Sequence, residues 1–306
     1  MKNLCFSILA CLFLFLRVSA QQNISAVSLV PDKSVAVLSV NWTNVRKDES
    51  LKKIVNGGDF ANVTTQFGLS ENKVTEWIVF SDIYPTSSRG LGIIISGNFT
   101  LQSIVQSVEA KNWNLQTLNQ QKVYVNPVDS SYLLPIRNGL LVVGTKNGVE
   151  KVQNAFAYPK KRLIGKPPFS SLFAQLGNAA PIKCVIGVPQ EYQKVADIAF
   201  KVTTKLMSFT GFGLLGTIFD KIGLIQSAGF SFSKRKDVFP VQLIATMPDV
   251  AKAKIGAGAL NLLKSLPKWM SSQTEENAAL QSLVVSSNGE MLSVKFNMPE
   301  SAMVQP

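Results

Sequence analysis

Three spacings in this 306-residue chain match patterns that elsewhere carry chemistry. Gly211-Phe212-Gly213-Leu214-Leu215-Gly216 fits G-x-G-x-x-G, whose glycines let a dinucleotide phosphate approach a helix start. That pattern requires a strand before it. Here a helical periodicity precedes it, so nucleotide binding is not expected. Ser-x-x-Lys, the nucleophile and base spacing of penicillin-binding and β-lactamase enzymes, begins at Ser50, Ser70, Ser231, Ser233 and Ser265, with no Lys-Thr-Gly or Ser-Asp-Asn companion. The acid pairs Asp48-Glu49 and Glu275-Glu276 offer the carboxylates that glycoside cleavage needs. Adjacent acids seldom straddle a substrate, and both pairs read as solvated helix or loop charges.

The chain has no histidine. That removes the commonest general base, the commonest zinc ligand and every Ser-His-Asp or Cys-His arrangement. No Asp-rich loop of the calcium-binding type occurs either, so no cofactor and no metal are expected. Of three cysteines, Cys5 and Cys11 fall in an export leader. Cys184 is left alone in the β-branched run Ile182-Lys183-Cys184-Val185-Ile186, where a thiol behaves as a small buried hydrophobe. The balance leans away from an enzyme.

The leader is read over 1–20: Lys2 supplies the positive start, residues 4–16 are almost wholly apolar, and Val18-Ser19-Ala20 gives the small-residue cleavage pattern. A secreted or periplasmic protein beginning at Gln21 is the expectation. The formal net charge is +12, two charges of which, Lys2 and Arg17, belong to the leader. A basic exported protein is predisposed to meet anionic surfaces or polymers. Two clusters carry this reading as an anion-binding surface: Lys160, Lys161, Arg162 and Lys166, and Lys234, Arg235 and Lys236. Neither is interleaved with aromatics that stack bases, so specific nucleic-acid recognition is not expected.

The elements that must position these residues follow from periodicity. A strand over 35–40 leads through polar capping residues into a helix; strands over 74–81 and 91–96 and a helix from Leu101 follow. Strands at 122–125, 132–136 and 140–144, the last two turning at Asn138-Gly139, precede a helix that Pro159 stops. The order repeats: a strand over 181–188, a helix over 191–207, strands over 224–232 and 238–246, a helix from about Asp249, then a hairpin around Asn288-Gly289. This predicts an α+β fold of two related halves, each a largely antiparallel sheet with helices on one face. The division is 21–159 for the first repeat, 160–168 for a basic proline-rich linker, 169–298 for the second repeat and 299–306 for a tail.

Within 30–160, Ile95-Ser96-Gly97-Asn98-Phe99 forms a "strand, G-x-F, helix" unit, followed by Val142-Val143-Gly144-Thr145-Lys146. In this the chain resembles a group of exported bacterial α+β proteins with internal duplication. The resemblance implies export and duplication and carries no activity with it.

The segment 206–225 is unusually apolar, with Phe209, Phe212, Leu215 and Phe219 separated by glycines, but Asp220-Lys221 interrupts it before bilayer length. It reads as a buried hairpin or loop, or as an apolar element that touches lipid. Three functions follow. The first is a non-enzymatic binding or envelope-associated protein with a basic surface for anionic partners. The second is a carrier of an apolar or lipid ligand, and the third a carboxylate-based hydrolase, which needs two acids across one cleft.

Overall fold

The computed structural model describes residues 25–56, 64–82, 90–166, 169–177, 180–187, 225–262, 279 and 281–303. Its strands are β1 (Ala36–Asn41), β2 (Val74–Ser81), β3 (Leu91–Gly97), β4 (Asn114–Leu118), β5 (Gln121–Val125) and β6 (Tyr132–Arg137). They continue with β7 (Leu140–Gly144), β8 (Ile182–Gly187), β9 (Ser227–Phe232), β10 (Val238–Thr246), β11 (Val284–Asn288) and β12 (Met291–Pro299). The helices are α1 (Trp42–Val45), α2 (Glu49–Asn56), α3 (Leu101–Ala110), α4 (Lys146–Ala157), α5 (Phe169–Gln175), α6 (Val250–Leu262) and α7 (Glu300–Met303). The α+β class expected from the sequence is what the chain adopts.

All twelve strands form one sheet in the order β11-β12-β10-β9-β8-β1-β2-β3-β7-β6-β5-β4. Every neighbouring pair is antiparallel. The antiparallel strands of both halves join in this one sheet, and the expectation of helices on one face needs correction, since helices cover both. β1 and β8 lie side by side at the centre, Val37 opposite Val185 and Val40 opposite Ile182, and all four side chains are buried. A strand apolar on both faces cannot be an edge, and the sheet is therefore continuous and covered from both sides.

Alternation assigns the two cores. Val40, Trp77 and Ile95 face one way and pack with Trp42 of α1, Leu51 of α2 and Ile104 and Val108 of α3. Val37, Ile78 and Ile94 face the other way and pack with Val149 and Val152 of α4 and Phe169 and Leu172 of α5. α6 sets Ala253 and Ala257 against Met247 and Leu292, on the Trp77 side by strand register.

Local chemistry accounts for the helix ends. The Thr100 hydroxyl accepts from the Ser103 N–H and caps α3, and the Thr145 hydroxyl accepts from the Gly148 N–H and caps α4. At the far end of α4, the Arg162 guanidinium donates to the carbonyls of Ala155 (2.8 Å) and Phe156 (3.3 Å), satisfying acceptors that a helix terminus leaves open. The "G-x-F" unit also has a packing explanation. A Cβ on Gly97 would fall 2.1 Å from the Lys73 carbonyl oxygen, and Phe99 is buried in the Trp77 core.

Candidate functional site

Ser39, Glu76 and Lys183 each interrupt an apolar strand at a position that faces the α5 side of the sheet. Ser39 lies directly across from Lys183 on β8 and from Ile78 on β2, while Glu76 is two residues along β2 from that partner. Their side chains line one cavity of about 260 Å³. Its walls come from Val27 and Val30 beside the 3-10 turn Ala26–Leu29, Val37 of β1, Leu163 and Ile164 after α4, and Phe169, Phe173 and Ala174 of α5. The volume lies between the ~150 Å³ cavity that holds a benzene and the ~300–1,000 Å³ of clefts for drug-sized molecules.

The polar floor is only partly self-satisfied. The Ser39 hydroxyl donates to Glu76 Oε1 at 3.3 Å. The Lys183 ammonium has the Phe173 ring 6.0 Å away, and among the described residues it makes no ion pair. Burial raises the Glu76 carboxyl above its ordinary value, a shift opposed by the Ser39 hydroxyl and by the charge of Lys183. Burial lowers the Lys183 ammonium, opposed by the charge of Glu76. Both charged forms are thus held at a net cost in desolvation, the arrangement in which site residues trade stability for function.

This has a measurable consequence. The double substitution Glu76→Gln with Lys183→Met should stabilise the fold at neutral pH by about 1 kcal/mol, a small figure because solvent screens the half-buried lysine. The pH dependence of Glu76 fixes the sign for Glu76→Gln alone. A carboxyl whose folded value is raised favours folding below its unfolded value, and loses that advantage as pH rises through the folded one. The gain from the glutamine therefore vanishes in acid below the ordinary glutamate range and is full above the raised value. Urea denaturation at a series of pH values measures it.

A second cavity of about 260 Å³ lies on the opposite face, lined by Ile186, Ile225, Ala228, Phe230, Leu243 and Leu292 among others. Every side chain named there is apolar, so nothing orients a ligand. Cys184 faces that side, across from Leu38 and Phe230. Burial pushes its thiol up to about 11. Alkylation by iodoacetamide at pH 8 should consequently run roughly two orders of magnitude slower than for a free thiol, and reach the ordinary rate once the chain is unfolded.

The residues singled out by sequence fall differently. Lys160 and Lys161 are exposed, in the 3-10 turn Pro159–Lys161 after α4. Arg162 caps α4, and Lys166 pairs with Asp32 at 2.7 Å. The segment 160–166 is accordingly packed against 30–32, with the Leu163 N–H donating to the Val30 carbonyl. Lys234 pairs with Glu300, which also accepts from the Ser50 hydroxyl, and its ammonium lies 4.7 Å from the centre of the Phe239 ring. Arg235 and Lys236 are exposed at the β9–β10 turn.

The two clusters do not form one surface. Arg162 bridges Pro31, ahead of β1, whereas Lys234 follows the end of β9, which pairs with the start of β8. The length of the central strands, about 20 Å, separates them. Phe209, Phe212, Leu215 and Phe219 lie outside the described residues, as do the G-x-G-x-x-G run and Glu275-Glu276. Asp48 serves structure, its carboxylate accepting from the Ser50 and Leu51 N–H groups at the start of α2. The Ser231–Lys234 match splits across the sheet: Ser231 donates to the Leu176 carbonyl on one side, and Lys234 sits over Phe239 on the other.

The sequence carried a signal for the cavity: Ser39 and Lys183 interrupt apolar central runs, and the charged Glu76 sits near the start of another. In a strand covered on both faces such a residue is costly unless it meets a partner. Only the pairing of β2, β1 and β8 brings the three together.

Fold and cavity together define a class, an α+β protein built on a single antiparallel sheet covered on both faces, with a polar-floored pocket against its central strands. No family model matches the chain, and no curated protein matches it. Among solved structures, crystal form I of TP0453 is similar, with a TM-score of 0.54 and 10% identity over 93% of this chain and 100% of that one. Crystal form IV aligns with a TM-score of 0.53 and 10% identity over 92% and 95% of the two chains. Crystal form III gives 0.52 and 10% over 92% and 96%. At that identity the likeness is one of fold.

Proposed function

We propose that this chain is an exported, non-enzymatic binding protein whose central cavity takes a small apolar molecule. The observation that carries the reading is the cavity itself, mostly apolar in its walls, with polar side chains at Ser39, Glu76 and Lys183 on the floor and Ser170 on α5. That division is the usual one for ligand sites, in which contact area supplies affinity and a few polar groups fix orientation. Its size favours a single short chain or ring over a whole two-chain lipid. Export is supported by the leader-like residues 1–20 and by the basic charge.

Descent from a duplicated unit is supported by strand order. Outward from the centre, one side runs β1-β2-β3-β7-β6 and the other β8-β9-β10-β12-β11. The five strands on each side follow the same order and close with an Asn-Gly hairpin, the first side carrying β5 and β4 in addition. The cavity then falls at the junction of the two halves, where β1 meets β8.

The alternatives have less support. An anion-binding surface retains only the exposed pairs Lys160-Lys161 and Arg235-Lys236, at opposite ends of the strands, and so amounts to general electrostatic attraction that salt weakens. For a carboxylate hydrolase the cavity offers one acid, Glu76, where two are required.

The test is occlusion. Ala174 is exposed on α5 at the cavity rim. Ala174→Trp should weaken binding of an apolar fluorescent probe at least about tenfold without lowering Tm, because it fills the mouth and leaves the core intact. Unchanged probe affinity in the folded variant rules the cavity out as the binding site.

A further inference from the structure

We infer that the cavity's ligand is a monoanion, a carboxylic acid bearing a short apolar chain or ring, with its carboxylate against Lys183 and its apolar part against Leu163, Phe169 and Phe173. This rests on the reading of the cavity as a ligand site and adds the chemistry of the head group.

The floor presents unequal demands. Lys183 brings three N–H donors and has no acceptor among the described residues, whereas one oxygen of Glu76 already accepts from Ser39. The unmet need is therefore for an acceptor. In a pocket walled by valine, leucine and phenylalanine, a charge-assisted bond to that ammonium is stronger than in water.

Charge balance points the same way. Glu76 and Lys183 are the two charged groups that face each other across the floor, and α5, packed over them, carries none. An anionic head leaves the floor one negative charge in excess, which protonation of Glu76 removes. A cationic head leaves one positive charge in excess, which requires Lys183 to lose its proton. Burial moves both groups towards neutral pH, and the ordinary glutamate value starts nearer to it than the ordinary lysine value, so the anion is the less costly guest. The basic chain as a whole also draws anions towards it.

Three ligands with one eight-carbon chain and different heads test this by calorimetry on the purified protein: octanoate, octanol and octylamine. Octanoate should bind at least about tenfold more tightly than octanol, and octylamine most weakly. Lys183→Met should erase the preference for octanoate while leaving octanol within about threefold of its original affinity. Equal affinity for octanoate and octanol, or a preference for octylamine, overturns the head-group assignment while the cavity still binds. Failure of all three to bind defeats the cavity reading itself. The comparison on the unaltered protein decides the matter even where the Lys183 variant folds poorly.

Discussion

Replacement of Trp77 by alanine should destabilise this protein by about 3–5 kcal/mol, the cost typical of removing a fully buried indole from a core that cannot collapse around the void. Trp77 is 1% exposed on β2, one strand from the centre of the sheet. Its ring meets that of Trp42 edge to face, with centroids 6.4 Å apart and planes at 75°. That geometry adds to the buried area. Against an ordinary domain stability of about 5–15 kcal/mol, such a loss is enough to leave much of the chain unfolded near 37 °C. Trp42 gives the contrasting case. Its indole N–H is buried and has no acceptor among the described residues, so Trp42→Phe loses some contact area but also removes an unsatisfied donor. The two effects oppose, and the net change should stay within about 1 kcal/mol. Urea denaturation of both variants separates them; equal costs would mean that the pair contributes through something other than packing.

The second large effect is expected at Gly139, which ends the β6–β7 turn. Its φ is +72°, and a Cβ there would lie 2.5 Å from the carbonyl oxygen of Gly97. The turn is docked rather than free: Gly139 donates to the Phe99 carbonyl at 2.8 Å, and the Leu101 N–H donates to the Asn138 side chain at 2.8 Å. Gly139→Ala should therefore cost about 1–2 kcal/mol for the left-handed backbone and a further ~1 kcal/mol or more for displacing the Gly97 strand end. Gly289, in the matching β11–β12 turn, has φ +57° and nothing within 4 Å of the same atom. Gly289→Ala should bear the backbone cost alone. Identical losses at the two sites would show that the contact with Gly97 contributes nothing.

These two turns also show how sequence and structure divide the information. Asn-Gly between alternating strands marks a tight hairpin wherever it occurs, and both hairpins form. The sequence cannot say that one of them closes onto a neighbouring strand and helix, since that depends on residues forty positions away. Legibility failed in two further places for definite reasons. β4 pairs through Asn114–Leu118 at the sheet edge, where the burial is too slight to impose alternation. α5 follows a proline-rich basic stretch, and its short apolar face, Phe169 and Leu172, is one turn too brief for a periodicity to stand out.

The candidate site divides in the same way. The basic clusters stood out because runs of charge are visible in one dimension. Folding ties Arg162 to the end of α4, Lys166 to Asp32 and Lys234 to Glu300, and so turns conspicuous cations into fasteners. Ser39, Glu76 and Lys183 were inconspicuous because each lies alone in its own strand with no neighbouring residue of the same chemistry to mark it.

By itself, the sequence determined the α+β class, most strand and helix positions, the hairpin turns and the absence of imidazole chemistry. These depend on neighbours within a turn or a strand's length, and local sterics and periodicity suffice for them. The tertiary structure alone decided that the strands make one sheet covered on both faces, that Arg162, Lys166 and Lys234 are drawn into packing, and that three scattered polar residues share the floor of one cavity. Those outcomes follow from the pairing of β2, β1 and β8, contacts between segments far apart in the chain, which side-chain pattern permits but does not specify.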